Sequence, residues 1–252
     1  MKTICKTCLL LLALACAGCF DFTEEIWLNK NRSGRYEMTV EMGSGPFASM
    51  LRMAQEKTND SLRALGQPPR SQDTIIVLAN LPDSVKRLFP YPEVLNNTRL
   101  DFKVDKALRF KFQFDFKKIE DIAQFWETLQ AFDRLQKDST LKDLDAPSVG
   151  NITSMISGVP ELKFDGKTLQ RSTRVDTTSQ EIGQMFFENQ DDGLTKMMFR
   201  NKTYRIIYHL PKKPKSVSGA GFSTDGKTVS GRFPLLDVMR DNQKLSCEIR
   251  VK

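Results

Sequence analysis

The sequence predicts an α+β fold, a largely antiparallel sheet built from hairpins with a few packed helices. Three observations carry this. Apolar residues alternate with polar ones in many short runs, as in half-buried strands. Asp-Gly turns join several of these runs. After residue 118 the apolar period switches from two to that of a helix. The composition, 40% hydrophobic and 27% charged over 252 residues, is that of an ordinary globular chain able to bury a sizeable core.

The chain opens on a leader. Met1 to Lys6 is a short basic region and Leu9 to Ala15 is apolar; small residues come next. The apolar run is too short to span a bilayer, which needs about 20 residues. Leu12-Ala13-Leu14-Ala15-Cys16-Ala17-Gly18-Cys19 reads as the end of a bacterial lipoprotein signal peptide. Small residues before the cut let the chain enter the peptidase extended. Ala17 and Gly18 therefore favour Cys19 as the lipidated residue. Cys16 is the alternative, with the bulkier Leu14 at the second position before it. A diacylglycerol thioether plus an N-acyl (palmitate-type) chain anchors stably, where one acyl chain is marginal. The expected division is a signal peptide over 1–18, a tether over 19–25 and a single domain over 26–252, with a sub-boundary near 137–158. Cys5, Cys8 and Cys16 leave with the leader, so beyond Cys19 only Cys247 is left. No intrachain disulfide or cysteine metal cluster can then form. Of 38 basic and 31 acidic residues two lysines also leave, and the mature chain is mildly basic.

Within the domain, Glu25 to Leu28 and Arg35 to Met42 read as a hairpin around Asn29 to Gly34. Pro46 and the Phe47, Met50, Leu51, Ala54 spacing predict a helix that ends at Gly66. Asp73 to Ala79 reads as a buried strand, and Pro82 to Phe89 as a short helix at best. The strongest signal lies between residues 98 and 136. Leu100, Phe102 and Val104, then Leu108, Phe110, Phe112, Phe114 and Phe116, alternate with polar and charged residues. Ile119, Ile122, Phe125, Trp126, Leu129, Phe132 and Leu135 then recur at helical spacing. This predicts a hairpin with a helix laid across its apolar face. Phe110, Phe112, Phe114, Phe116 and Trp126 are core residues or, in the other reading, the lining of a lipid-binding cleft. Farther on, Asp165-Gly166 and Asp225-Gly226 mark hairpins, and Ser179 to Gln190 is a modest helix. Met197 to Phe199 and Tyr204 to Tyr208 read as a further hairpin, Val217 to Phe222 as a strand arm, and Leu245 to Val251 as the closing strand. Pro211-Lys212-Lys213-Pro214-Lys215 is a basic loop, solvated or touching lipid headgroups.

Motifs for chemistry are few. Gly221 to Thr228 fits P-loop spacing, but Val229 to Phe233 is strand-like and runs into Pro234, where a P-loop needs a helix. The same Asp-Gly-Lys-Thr recurs at 165 to 168, so its use is a turn, and no nucleotide is expected. There is one histidine, His209, which excludes a two-histidine metal site; on a probable strand it is read as a structural or surface residue. Glu24-Glu25 and Asp191-Asp192 are expected at the surface or in turns. Neighbouring strand residues point to opposite faces, so neither pair is an acid/base couple. No catalytic residue, cofactor, metal or nucleic-acid module is assigned. Five Asp-hydroxyl-methyl triplets place candidate O-glycosylation at Ser61, Thr74, Ser84, Ser139 and Thr177; helix caps and turns explain such triplets equally well.

Thr23 to Asn29, with Ser33-Gly34-Arg35-Tyr36, Asp73-Thr74-Ile75 and Leu81 to Ser84, resembles uncharacterised lipoproteins of the Bacteroidota. Val217 to Val251 looks like the end of the LppM-type lipoprotein domain. These resemblances imply an antiparallel α+β unit on the cell envelope, proposed for the second family to bind lipid. The expectation is a non-enzymatic, lipid-anchored envelope protein, on the outer membrane, that binds a hydrophobic ligand or a protein partner. The alternatives are a scaffold without ligand and, third, an envelope hydrolase.

Overall fold

The architecture comes from a computed structural model that describes residues 20–42, 53, 56–57, 59–66, 74–104, 108–137, 158–174 and 202–251. The α+β class holds: the described residues form twelve strands in two sheets, with short helices and one long one. β1 is Phe20–Leu28, β2 Gly34–Met42, β3 Thr74–Val77, β4 Thr98–Val104 and β5 Leu108–Phe116. β6 is Val159–Phe164, β7 Thr168–Arg174, β8 Thr203–His209 and β9 Pro214–Ser218. β10 is Phe222–Asp225, β11 Thr228–Pro234 and β12 Cys247–Val251. Helices with described bounds are α1 Asp83–Lys86, α2 Pro92–Leu95, α3 Asp121–Lys137 and α4 Leu235–Arg240, and residues 59–64 are helical as well, within the helix expected up to Gly66.

The large sheet runs β10-β11-β8-β1-β2-β5-β4-β3, and the small one β6-β7-β12-β9. Period-two alternation gives the large sheet one apolar face. Phe22, Ile26, Tyr36, Met38, Phe112, Phe114, Tyr204 and Tyr208 are all buried on it. Two elements share the covering of that face. α3 lies over β2 and β5, where Phe125 stacks on Phe114 at 5.2 Å between centroids and tilts against Tyr36 at 5.5 Å. The small sheet covers β1 and β8 and also abuts α3, where Arg174 of β7 pairs with Glu127. The opposite face of the large sheet is covered by no described element and carries cross-strand ion pairs such as Arg35–Asp115 at 2.9 Å and Lys111–Glu37 at 2.6 Å.

Several expectations need correction. The tether over 19–25 does not describe residues 20 to 25, which are the first six residues of β1, with Phe22 and Glu24 buried. β1 is also an interior strand. It pairs antiparallel with β2 and parallel with β8, so Tyr204 to Tyr208 aligns with Phe22 to Ile26. β8 is antiparallel to β11 on its other side. The expected arm at Met197 to Phe199 lies outside the described residues. β3 is a sheet edge rather than a buried strand, with Ile75 53% exposed. The expected arm from Val217 to Phe222 is split, β9 ending in one sheet and β10 starting in the other.

Both Asp-Gly turns form. Asp165 accepts from the N–H groups of Lys167 and Thr168 at 2.7 Å each, and these bonds hold its carboxyl below the usual range. Gly166 at φ 99° and Gly226 at φ 59° take left-handed backbone that glycine adopts without strain. Strand β11 succeeds the second turn, so Gly221 to Thr228 is a hairpin. Turns of the two sheets also meet: Arg32 donates to the Asp165 carbonyl at 3.0 Å.

Candidate functional site

The phenylalanine face is shut. Phe110, Phe112, Phe114, Phe116 and Trp126 are each 9% exposed or less and belong to one continuous core. Trp126 donates its indole N–H to the Tyr36 hydroxyl at 3.0 Å, which satisfies the one polar atom it brings inside. The open-cleft alternative therefore does not describe this face.

The most concentrated buried polar chemistry lies where the two sheets meet. Glu24 on β1 and Arg171 on β7 point inward from facing sheets. The Arg171 guanidinium donates to both Glu24 oxygens, at 2.7 and 2.9 Å, and Tyr204 donates its hydroxyl to the same carboxylate. Both charged side chains are almost fully buried, at 2% and 0% exposure. Burial opposes the charge on Arg171, yet Glu24 keeps it ionised well above the usual arginine range. Among the described residues the buried Arg171 Nε has no hydrogen-bond partner, nor does the buried Thr173 hydroxyl. Tyr208 lies alongside and accepts a 3.7 Å contact from the Cys247 thiol.

A fork-to-fork arginine–carboxylate pair is geometrically specific. Here it is sealed from solvent and both carboxylate oxygens accept hydrogen bonds from Arg171 or Tyr204. The arrangement ties the small sheet to β1 in one register and leaves no oxygen free for a substrate. Sequence reasoning placed Glu24 at the surface. The available signal was alternation: with Phe22 and Ile26 inward, Glu24 must point inward too.

Burial raises the Tyr36, Tyr204 and Tyr208 hydroxyls well above the usual tyrosine range. A group whose folded pKa is raised contributes stability that is intact below its unfolded pKa. Here that is about 10, and the contribution is lost as pH climbs above it. Alkaline titration should show these tyrosines ionising together with unfolding, in one step of tyrosinate absorbance. Smooth titration of all tyrosines before unfolding would contradict their burial. Burial likewise raises the Cys247 thiol, which is the chemistry of an inert structural cysteine.

The remaining sequence candidates are scattered. His209 lies on the open face, 3.1 Å from Glu25 and stacked on Trp27 at 4.8 Å. Glu25 thus points away from Glu24, and the two form no couple. Ser61 is exposed and donates to the Lys57 carbonyl at 2.9 Å. Ser84 is exposed in α1. Thr74 begins β3, and its side chain is outside the described residues, as are Ser139, Thr177, Cys16, Cys19 and the expected signal peptide over 1–18. No described helix is long and apolar enough to cross a membrane.

No known family model matches the chain, and neither does any curated protein. Among solved structures, the NMR structure of the folded domain of the Mycobacterium tuberculosis protein LppM is similar over 93% of this chain and 91% of that one. The TM-score is 0.42 and the sequence identity 10%, a likeness that assigns neither a family nor an activity.

Proposed function

We propose that this chain is a lipid-anchored protein of the bacterial cell envelope, held through Cys19, on the outer membrane. Its domain acts without catalysis, by presenting its surfaces to an envelope protein partner. The observation that supports this best is the closure of the Phe110 to Phe116 face beneath α3. A sheet whose apolar side is already filled has its outer surfaces left for recognition, which favours a partner over an enclosed hydrophobic ligand. In-cell crosslinking should recover one dominant envelope protein. A lipid carried by the purified domain in native mass spectrometry, with no crosslinked partner, would reverse the choice.

The anchor has its own test. The mature protein should carry a diacylglycerol and an acyl chain at its first residue, Cys19, in intact-mass measurement. Cys19→Ala should give an unprocessed, unacylated chain. Acylation that persists in this variant moves the anchor to Cys16. The same measurement reads the glycosylation proposal for Ser61, Thr74, Ser84, Ser139 and Thr177, since a mass without hexose-scale excess ends it.

A further inference from the structure

Strand register gives the open face of the large sheet a direction. β1 starts at Phe20, directly after Cys19, so residues level with Asp21 and Thr23 sit at the anchored end. Level with Thr23 is Arg205 on β8, and directly across from it is Arg232 on β11. Both are exposed. Like charges opposite one another on neighbouring strands repel, and a carboxylate at either position would gain an ion pair. Among the described residues neither arginine makes one. Four acids of this face pair with other bases: Glu41 with Arg109, Asp101 with Arg99, Glu37 with Lys111 and Asp115 with Arg35. Glu25, beside His209, and Asp225 lie farther from the anchored end. Asp21 accepts from the Thr203 hydroxyl at 2.7 Å. Lys103, exposed at the same end of β4, also makes no ion pair among the described residues. At the anchored end these three bases outnumber the one acid whose described partners are neutral, Asp21, so the net charge there is positive.

We propose that the Arg205–Arg232 pair, with Lys103 farther across the same end of the sheet, rests on the phosphates of anionic lipid headgroups when Cys19 holds the chain. This rests on the lipid anchor proposed for Cys19. Thr23 is four residues beyond the anchor, about 13 Å along an extended strand. An arginine side chain level with it can snorkel to within the ~8 Å Debye length of the surface. Guanidinium groups match phosphate oxygens in paired hydrogen bonds, which suits arginine to this contact. The basic loop that the sequence offered for headgroups is at the other end. Lys212 and Lys213 come just after His209, which is level with Trp27.

The test attaches the chain from Cys19 onward, which holds every described strand and α-helix, to vesicles by a maleimide lipid on Cys19. Native acylation, read separately by mass, is then not needed. Arginine modification by phenylglyoxal and lysine modification by an amine reagent are followed by peptide mass spectrometry. In vesicles containing phosphatidylglycerol, Arg205 and Arg232 should be modified about fivefold more slowly than in pure phosphatidylcholine, and high salt should erase the difference. Lys212 and Lys213 should be unaffected. Equal rates at the arginines in both vesicles, or equal protection of Lys212 and Lys213, would overturn the proposal. So would full protection by inorganic phosphate over phosphatidylcholine, which would indicate a small-anion site.

Discussion

Arg171→Met should destabilise the domain by about 3–5 kcal/mol, because it leaves the Glu24 carboxylate buried with only the Tyr204 hydroxyl as a donor. The stability of a buried pair is lopsided. Removing one partner strands a charge, whereas replacing both partners together is often neutral. The double variant Glu24→Gln with Arg171→Met keeps an acceptor for Tyr204 and carries no charge. It should recover most of the loss in urea denaturation. A single variant as stable as the parent would mean that Glu24 is hydrated or neutral in the fold. A double variant no better than the single would assign the pair's value to packing, since the arginine stem fills space as well as carrying charge.

Phe125→Ala is expected to cost about 3–5 kcal/mol, the range for truncating a buried phenylalanine. Phe125 is 1% exposed and contacts Phe114, Tyr36 and Trp126, so its removal opens a void on three sides. The measurement separates the two readings of the aromatic face. Floor residues of a ligand cleft could be shortened at small cost to the empty protein. A loss under about 1 kcal/mol would restore the cleft reading and, with it, a hydrophobic ligand.

Much of this fold is legible in the residues themselves. The alternation from Leu100 to Phe116 and the helical spacing from Ile119 onward predict β4, β5 and α3. Both Asp-Gly turns fall where their chemistry places them. These are local signals, since a side-chain period or a turn residue acts within a few positions of the chain. Residues 20 to 25 misled because Asp21, Glu24 and Glu25 look like a polar tether. Asp21 and Glu25 do face outward, on the open side of the sheet, and only Glu24 is taken inside. A period-two reading started at Phe22 would have found the strand. It would not have found the charge that makes the inward Glu24 tolerable, because Arg171 lies 147 residues away in sequence.

The sequence by itself determined where the central strands, both Asp-Gly turns and the long helix form, and it supplied the residues behind the proposed anchor. Tertiary structure decided three things. It paired β1 with β8 in parallel, which no hairpin turn announces. It filled the aromatic face with α3, so that the face is core. It brought Arg205 opposite Arg232 at the end of the sheet where β1 begins. Each joins residues distant in the chain. Such contacts are set by which surfaces cover one another once the apolar side is withdrawn from water, and local periodicity carries no record of that choice.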